Sequence, residues 1–338
     1  MDMIQKLTEE LEVKKWQVEA AVRLIDEGNT IPFIARYRKE ATGSLNDEQL
    51  RSLHERLIYL RNLEEKKEQV LASIEEQGKL TEELRVQIIN AQTLVAVEDL
   101  YRPYRPKKAD KGDHCKGERT GTAGDTSDAA KDTKAFGRRG AKYISAEKEV
   151  HTVEEAIAGA KDILAETVSD EADYRSFIRN LTVKEGKMIS SAKDDSVQSV
   201  YEMYYSFEEP VSRLAGHRIL ALNRGEKEKI LNVKIEAPEE KILRYLEKKI
   251  IVSENPYTSE YLKEVAEDSY KRLIAPAIER EIRSSLTEKA EDSAITVFGK
   301  NLEQLLMQPP IVGQVVLGWD PAFRTGCKLA VVDETGKV

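Results

Sequence analysis

The chain has 338 residues, room for two or three packed units, and 34% charged, 40% apolar and 6% aromatic residues, a balance typical of helical proteins with long charged faces. No apolar run is long enough for a membrane span, and residues 1–4 lack the features of a signal peptide. Two cysteines do not make a disulfide framework, so we expect a cytoplasmic location. The net charge of −8 excludes phosphate binding by the whole surface and leaves only a local patch.

Residues 1–108 are predicted to form a packed helical bundle. A first amphipathic run opens at Thr8 and closes at Gly28, which favours one helix over this stretch. Its apolar side consists of Leu11, Val18, Val22 and Ile25. Asn46 and Gln49 then have capping-box spacing and open a second helix.

The second helix carries a long apolar stripe with spacings of three and four residues. Its members are Leu50, Leu53, Leu57, Leu60, Val70 and Ile74. Gly78 breaks the pattern and Thr81 caps a third helix, to which we assign Leu84, Ile88 and Val95. A coiled-coil seam is the alternative, but the turns that interrupt the stripe favour a bundle.

Residues 109–140 have a different composition. They contain no Leu, Ile, Val, Met, Trp or Tyr, and Phe136 is their single large apolar residue. Such a segment cannot offset its conformational entropy by burial, so we predict disorder.

Residues 141–312 return to helical patterns. Helices are predicted at 153–168, 171–180 and 197–207, and the alternation at 231–235 predicts a short strand. Pro256 is expected to end a helix, and Pro276 to kink or interrupt the long charged segment at 259–307.

Residues 313–338 contain two β-rich runs around a Pro/Gly loop, followed by a turn signal at 334–337. Two strands cannot bury a face by themselves, so this hairpin is expected to open a larger α/β unit.

Three blocks of sequence resemble the Tex family, the bacterial transcription accessory proteins, and they follow the family's order. They are NTIPFIARYRKEATG at 29–43, HRILALNRGE at 217–226, and residues 305–310 with 315–328. The resemblance covers residues 1–108 and roughly 141–338, and the hairpin resembles the start of the family's YqgF, RNase H-like domain.

The resemblance implies a Tex-like N-terminal domain at 1–108, a central helical region at 141–312 and the start of a YqgF domain at 313–338. The fold class is therefore predicted to be mainly α: a multi-helix bundle with a helix-turn-helix-like N-terminal region, ending in the first β-hairpin of an incomplete α/β RNase H-like domain. We expect the chain to be truncated, so that the family's helix-hairpin-helix elements and C-terminal OB-fold RNA-binding domain are absent.

Tex proteins have a regular, partly apolar stretch where this chain has residues 109–140. A shift of one nucleotide permits family-like codons at 109–116 and at 136–140. We therefore hypothesise a pair of compensating frameshifts, and a genuine flexible loop is the alternative. The coding DNA distinguishes the two.

Two basic clusters are candidate nucleic-acid contacts, because tyrosine rings stack on bases and guanidinium groups bind phosphates. The first basic cluster consists of Arg36, Tyr37, Arg38 and Lys39. The second consists of Tyr101, Arg102, Tyr104, Arg105, Lys107 and Lys108, which Pro103 and Pro106 are expected to hold extended. In the alternative interpretation the tyrosines anchor helix ends and the cations pair with nearby glutamates.

Asp320 is the one carboxylate considered for catalysis, since RNase H-like nucleases hold divalent metal at the end of the first strand. That chemistry needs several converging carboxylates, and Asp333 at the far end of the second strand does not complete the set. We therefore expect Asp320 to be a vestigial, turn-forming carboxylate and the chain to have no catalytic residues, metal or cofactor. The polar residues at 217–218 and 223–226 are expected to form a structural junction.

The favoured function is a non-catalytic scaffold that binds RNA or DNA weakly or associates with RNA polymerase or other transcription proteins, and not with a membrane. A metal-dependent RNase H-like nuclease in the full-length protein, or a non-functional product of a frameshifted gene, are the alternatives.

Overall fold

The computed structural model describes residues 2–105, 152–252, 258–309, 311, 313–321 and 326–338. The predicted disorder and the frameshift hypothesis at 109–140 lie outside the described residues. The chain divides into two compact units, one of Met1–Thr182 with Pro238–Ile278 and the other of Val183–Ala237 with Glu279–Val338. Helices dominate the described chain, as predicted.

The first unit is helical throughout its described part. Its elements are α1 (Met3–Leu11), α2 (Lys15–Asp26), α3 (Ile31–Tyr37), α4 (Asp47–Glu76), α5 (Glu82–Asn90), α6 (Leu94–Tyr101), a 3₁₀ turn (Arg102–Tyr104), α7 (Val153–Asp170), most of α8 (Ala172–Glu185), α10 (Glu239–Ile250), α11 (Ser259–Asp268) and a π-helical turn (Ser269–Ile274).

The single helix predicted from Thr8 to Gly28 is wrong, because the chain forms α1 and α2 instead. Thr8 lies inside α1, where its hydroxyl donates to the Ile4 carbonyl at 2.8 Å. Glu12 adopts a left-handed conformation (φ 53°) that ends α1. The break was missed because the apolar spacing continues across it.

The predicted start and end signals of α4 and the predicted start of α5 are confirmed. The Asn46 side chain accepts from the Gln49 amide at 2.8 Å, and the Gln49 side chain accepts from the Asn46 amide at 3.0 Å. Gly78 has a φ of 65° after α4, and Thr81 caps α5. Val95 was wrongly assigned to this helix, since it lies in α6 and is exposed.

Helix α4 connects the two apolar clusters of the first unit. Leu50, Leu53, Leu57 and Leu60 pack with α1, α2 and α3 in one cluster, here called the N-terminal cluster. Leu63, Val70 and Ile74 pack with α5 and α6 in the other. With 30 residues, α4 is about 45 Å long, enough to reach both clusters.

A buried ion network joins α6 to α8 within the first unit. The Asp99 carboxylate accepts from Arg175 Nε at 2.7 Å and from Arg179 Nη2 at 2.8 Å, and Arg175 is fully buried. A charge without water needs such partners, so this network fixes α8 against α6.

The second unit contains a three-stranded antiparallel sheet in the order β2-β1-β3. Its strands are β1 (Lys187–Ala192), β2 (Ser206–Pro210) and β3 (Leu231–Glu236), with α9 (Gly216–Lys227) between β2 and β3. The strand predicted at 231–235 is confirmed. The helix predicted at 197–207 is wrong: a 3₁₀ turn (Glu202–Tyr204) leads into β2. The error arose because Tyr201 and Tyr204, which are both buried, are three residues apart and so have the spacing of one helix face.

The open edge of β3 is covered by α12 (Ala275–Leu306), most of which belongs to this unit. Glu279 accepts from the Ile235 amide at 2.9 Å, and Arg283 donates to the Val233 carbonyl at 3.2 Å and to Glu226. These bonds occupy backbone groups that an exposed edge would offer to another strand.

The predicted polar junction at 223–226 is confirmed, because Asn223 donates to Thr287 at 2.8 Å and Glu226 accepts from Arg283. Pro276 lies two residues after the end of the π-helical turn Ser269–Ile274, which forms the predicted interruption. A wider turn accommodates a residue that has no N–H to donate. Pro256 lies outside the described residues, and α10 ends at Ile250.

The predicted C-terminal hairpin is confirmed. Strands β4 (Val316–Asp320) and β5 (Lys328–Val332) pair antiparallel. In the turn that follows, Asp333 accepts from the amides of Thr335 and Lys337 at 2.9 and 3.0 Å. Hydrogen bonds from Thr335 lower the pKa of Asp333 below its ordinary value.

We expect Arg175→Ala to lower the free energy of unfolding of the first unit by about 3–5 kcal/mol, because it leaves Asp99 buried without its main partner. Urea unfolding followed through Trp16 in a Trp319→Phe background measures this unit, since the chain has two tryptophans. Arg179→Ala, which removes a half-buried partner, is the control and should cost less. Equal losses for the two variants would contradict a special role for Arg175.

Candidate nucleic-acid interface

Helix α3 and the two residues after it carry the first basic cluster, and local sequence determines where this helix begins. Gly28 (φ 84°) ends α2, with its amide donating to Ile25 O at 2.9 Å and the Asn29 amide donating to Leu24 O at 3.2 Å. These two bonds are those of a Schellman motif. Pro32 in the first turn of α3 suits a helix start, where its missing N–H costs nothing. Buried Ile34 then faces the N-terminal cluster.

The opposite side of α3 is exposed and combines aromatic and basic groups. Tyr37 is 61% exposed and Phe33 36%, and their ring centroids lie 5.2 Å apart. The Arg38 guanidinium lies 5.4 Å from the Phe33 ring centroid, and that of Arg36 lies 5.9 Å from the Tyr37 centroid. The two guanidinium groups therefore contact rings.

In the described part of the chain, no acidic partner neutralises the cations of this cluster. Within the part of the chain that the structure describes, Arg36, Arg38 and Lys39 form no ion pair with a carboxylate, and all three are exposed. Arg61 illustrates the contrast, because it binds both oxygens of Asp26 at 2.8 Å and lowers the pKa of that carboxyl. The first cluster thus keeps its positive charge available for an anionic ligand.

The loop after α3 is fixed against α2. The Thr42 side chain is buried and donates to Arg38 O at 3.2 Å, and Gln17 Nε2 donates to the carbonyls of Thr42 and Gly43 at 3.2 and 3.0 Å. Gly43 has a φ of 62°, and the Trp16 ring covers it so closely that a β-carbon would lie 2.9 Å from Trp16 Cζ2. The backbone that carries Arg38 and Lys39 is therefore held in place.

The second basic cluster has a different environment. The Tyr101 hydroxyl is 2.9 Å from Ser73 Oγ, and both Tyr101 and Tyr104 pack on the apolar cluster of α5 and α6. Arg102 donates to Asp170 at 3.0 Å and Arg105 lies 3.4 Å from Glu98. These contacts favour the structural interpretation for the four described residues.

The prediction that Pro103 holds this segment extended is wrong, because residues 102–104 form a 3₁₀ turn directly after α6. Proline in the first turn of such a helix loses no hydrogen bond. Pro106, Lys107 and Lys108 lie outside the described residues.

Asp320 ends β4 and is exposed opposite Lys328 of β5. Asp333 follows the other end of the hairpin, about 17 Å away along the strand direction. Among the residues that the structure describes, no three His, Cys, Asp or Glu side chains are arranged to hold a metal ion.

Phe33 is the one member of this surface that the sequence analysis missed. It precedes Tyr37 by four residues, which places both rings on one side of a helix. That spacing was readable, but a phenylalanine beside Ile31 and Ile34 is more readily assigned to the core.

Family models match three parts of the chain. The Tex-like protein N-terminal domain matches residues 1–75, the Tex central region-like model residues 133–298, and the Tex protein YqgF-like domain residues 314–338. The chain belongs to the Tex family. The domain boundaries drawn at 108, 140 and 312 from the sequence stay predictions.

Relatives of this Tex-family chain align with nearly all of it. It is 50% identical to the uncharacterized protein YdcI of Bacillus subtilis over 99% of the chain and 47% of that protein. It is 36% identical to the transcriptional accessory protein Tex of Neisseria gonorrhoeae over 100% of the chain and 45% of that protein. Human S1 RNA-binding domain-containing protein 1 is 31% identical over 100% of the chain and 35% of its own length. The chain thus spans about half the length of its bacterial relatives.

None of the helices that the structure describes combines the length and the apolar character that crossing a membrane demands.

Gly43→Ala tests whether the Trp16 contact fixes the loop of this Tex-family chain. Gly78 is a matched control, because its φ of 65° is similar and its β-carbon would meet no atom within 4 Å. We expect Gly78→Ala to cost about 1–2 kcal/mol from the left-handed backbone alone. Gly43→Ala should cost about 1–3 kcal/mol more, because the new methyl overlaps Trp16 and Gln17. Urea unfolding and the Trp16 emission wavelength, again in the Trp319→Phe background, measure both effects, and equal costs with unchanged emission would contradict the contact.

Proposed function

We propose that this chain is a non-catalytic, cytoplasmic scaffold of transcription that binds RNA or DNA through the first basic cluster. Its supports are the Tex family models and relatives whose names describe a transcriptional accessory protein and an RNA-binding protein. The observation that carries the proposal is that Arg36, Arg38 and Lys39, at the end of α3 and directly after it, are exposed and pair with no carboxylate among the described residues. RNA polymerase or another transcription protein is a further candidate partner.

The charge distribution suits a small and salt-sensitive contact. The chain has a net charge of −8, but Arg36, Arg38 and Lys39 place three positive charges within four residues, against the one negative charge of Glu40. Each phosphate neutralised by such a cation releases counterions, so affinity falls as salt rises. With about three phosphate contacts the binding is weak on its own.

The second basic cluster contributes less in this proposal. A guanidinium that already binds a carboxylate must give up that partner before it binds a phosphate. The net free energy gained from the phosphate is therefore smaller. Arg102 with Asp170 and Arg105 with Glu98 are in this position. Lys107 and Lys108 stay candidates on sequence grounds.

The combined variant Arg36→Gln, Arg38→Gln, Lys39→Gln tests the proposal. We expect it to weaken binding of single-stranded RNA and DNA, and to reduce the slope of log affinity against log salt by about 2, at roughly 0.7 per lost phosphate contact. Fluorescence anisotropy over a range of salt concentrations measures both quantities.

The control variant for this test is Arg51→Gln, Lys66→Gln, Arg85→Gln. It changes the net charge equally but removes cations that face Asp47, Glu98 and Glu75. The proposal fails if the two variants lose the same affinity, or if the unaltered chain binds no nucleic acid at low salt.

A nuclease is the second candidate, and its support is the position of Asp320 at the end of the first strand of a YqgF-like domain. We expect no magnesium-dependent cleavage of RNA, DNA or their hybrid, because Asp320 faces Lys328 and has no second carboxylate nearby in the described hairpin. Gel analysis after long incubation, with a known nuclease as positive control, checks this. Cleavage that EDTA stops and that Asp320→Asn removes would establish the nuclease instead.

A further inference from the structure

We propose that Phe33 and Tyr37 form a stacking platform for the bases of single-stranded nucleic acid, flanked by Arg36 and Arg38. The proposal rests on the function proposed above and extends it. In addition to phosphate binding by the cations, it assigns the stacking of bases to the aromatic rings. The platform consists of Phe33, Arg36, Tyr37 and Arg38.

The geometry of the two rings fits a surface for ligands more than a contact within the protein. They are one helical turn apart on the same side of α3, and their planes are inclined by 46°. They are therefore not stacked on each other. Arg36 and Arg38 lie over the rings of Tyr37 and Phe33, and the part of each ring that stays exposed is available to a base. Tyr37 keeps 61% of its surface exposed, although covering a ring of this size would stabilise the fold.

The orientation of the platform is fixed by the core beneath it. Ile34 is fully buried in the N-terminal cluster, and the Schellman motif before α3 and the Thr42 bonds after it hold both ends of the segment. A ring on a fixed helix loses little further freedom when a ligand binds, which favours aromatic side chains as contact groups.

The ligand that this surface fits carries both negative charge and flat, exposed rings. The guanidinium groups of Arg36 and Arg38 adjoin the aromatic rings, so a phosphate and its base can bind at neighbouring points. An acidic peptide would satisfy the cations and leave the rings uncovered. In a duplex the bases stack on each other and do not offer their faces, so the surface favours single strands. Because every base has such a face, no sequence preference is expected.

Anisotropy with labelled strands of about ten nucleotides tests the platform. Three probes are compared at one salt concentration: a single strand, the same strand with abasic sites in place of its bases, and the duplex. We expect the single strand to bind about tenfold more tightly than the abasic strand, which has the same phosphates. Unlabelled polyglutamate is added as a competitor.

Variants then assign the effect to the rings. Tyr37→Ala should weaken single-strand binding about fivefold or more, and should leave abasic binding unchanged, while Tyr37→Phe should retain affinity. Phe298→Ala is the matched control, because Phe298 is an aromatic residue of α12 with 67% exposure, and it should have no effect. Circular dichroism establishes that each variant keeps its helix content.

The possible results separate the two proposals. Equal binding of the ordinary and abasic strands overturns the platform and leaves the charge-based function intact. Binding of neither strand overturns both. Displacement by polyglutamate as efficient as by an unlabelled single strand also overturns the platform, in favour of an acidic protein partner.

Discussion

The apolar stripe of α4 is the interaction on which the first unit depends. One helix supplies buried leucines to the N-terminal cluster and to the cluster of α5 and α6, so neither cluster is complete without it. Removing one such leucine side chain costs about 2–5 kcal/mol. Lys67 lies within the stripe, and its buried ammonium donates to Glu64 and to the Ile89 carbonyl, so even the polar member of the stripe binds α4 to α5. The position of α3 follows from the same packing, because Ile34 contacts the N-terminal cluster.

The distribution of charge distinguishes structural from available cations. Arg175 is buried on Asp99, Arg283 binds Glu226 and a strand carbonyl, and Arg61 binds Asp26. Removal of Arg175 leaves the buried Asp99 carboxylate without its main partner, so the role of that pair is stability. The exposed pair of Arg61 with Asp26 contributes less to stability, but its charges already neutralise each other. Arg36 and Arg38 instead contact the exposed rings of α3. Only the opposite side of this helix packs against the core. This difference, and not the number of cations, favours the first basic cluster over the second as a ligand surface.

The sequence predicted those parts of the fold that depend on local chemistry. The capping box at Asn46, the glycine ends at Gly28 and Gly78, the alternating strand β3 and the terminal hairpin are each determined by neighbouring residues. The errors arose where partners are distant. The stretch that leads into β2 and the first two residues of that strand were assigned to a helix, because Tyr201 and Tyr204 have helical spacing and the pairing of β2 with β1 is a tertiary contact. The two basic clusters have similar sequences, so the sequence alone did not distinguish them. Only the fold shows that Asp170, 68 residues away, binds Arg102.

The two contributions proposed for α3, charge and stacking, have a common consequence. Neither depends on base identity, and each is small, so a contact of this kind binds any single strand weakly and releases it readily. Such a contact gains most when it is one of several on a single polypeptide, because a strand held elsewhere has a high effective concentration near α3. A weak contact of the kind proposed for α3 orients a bound strand without deciding which strand is bound.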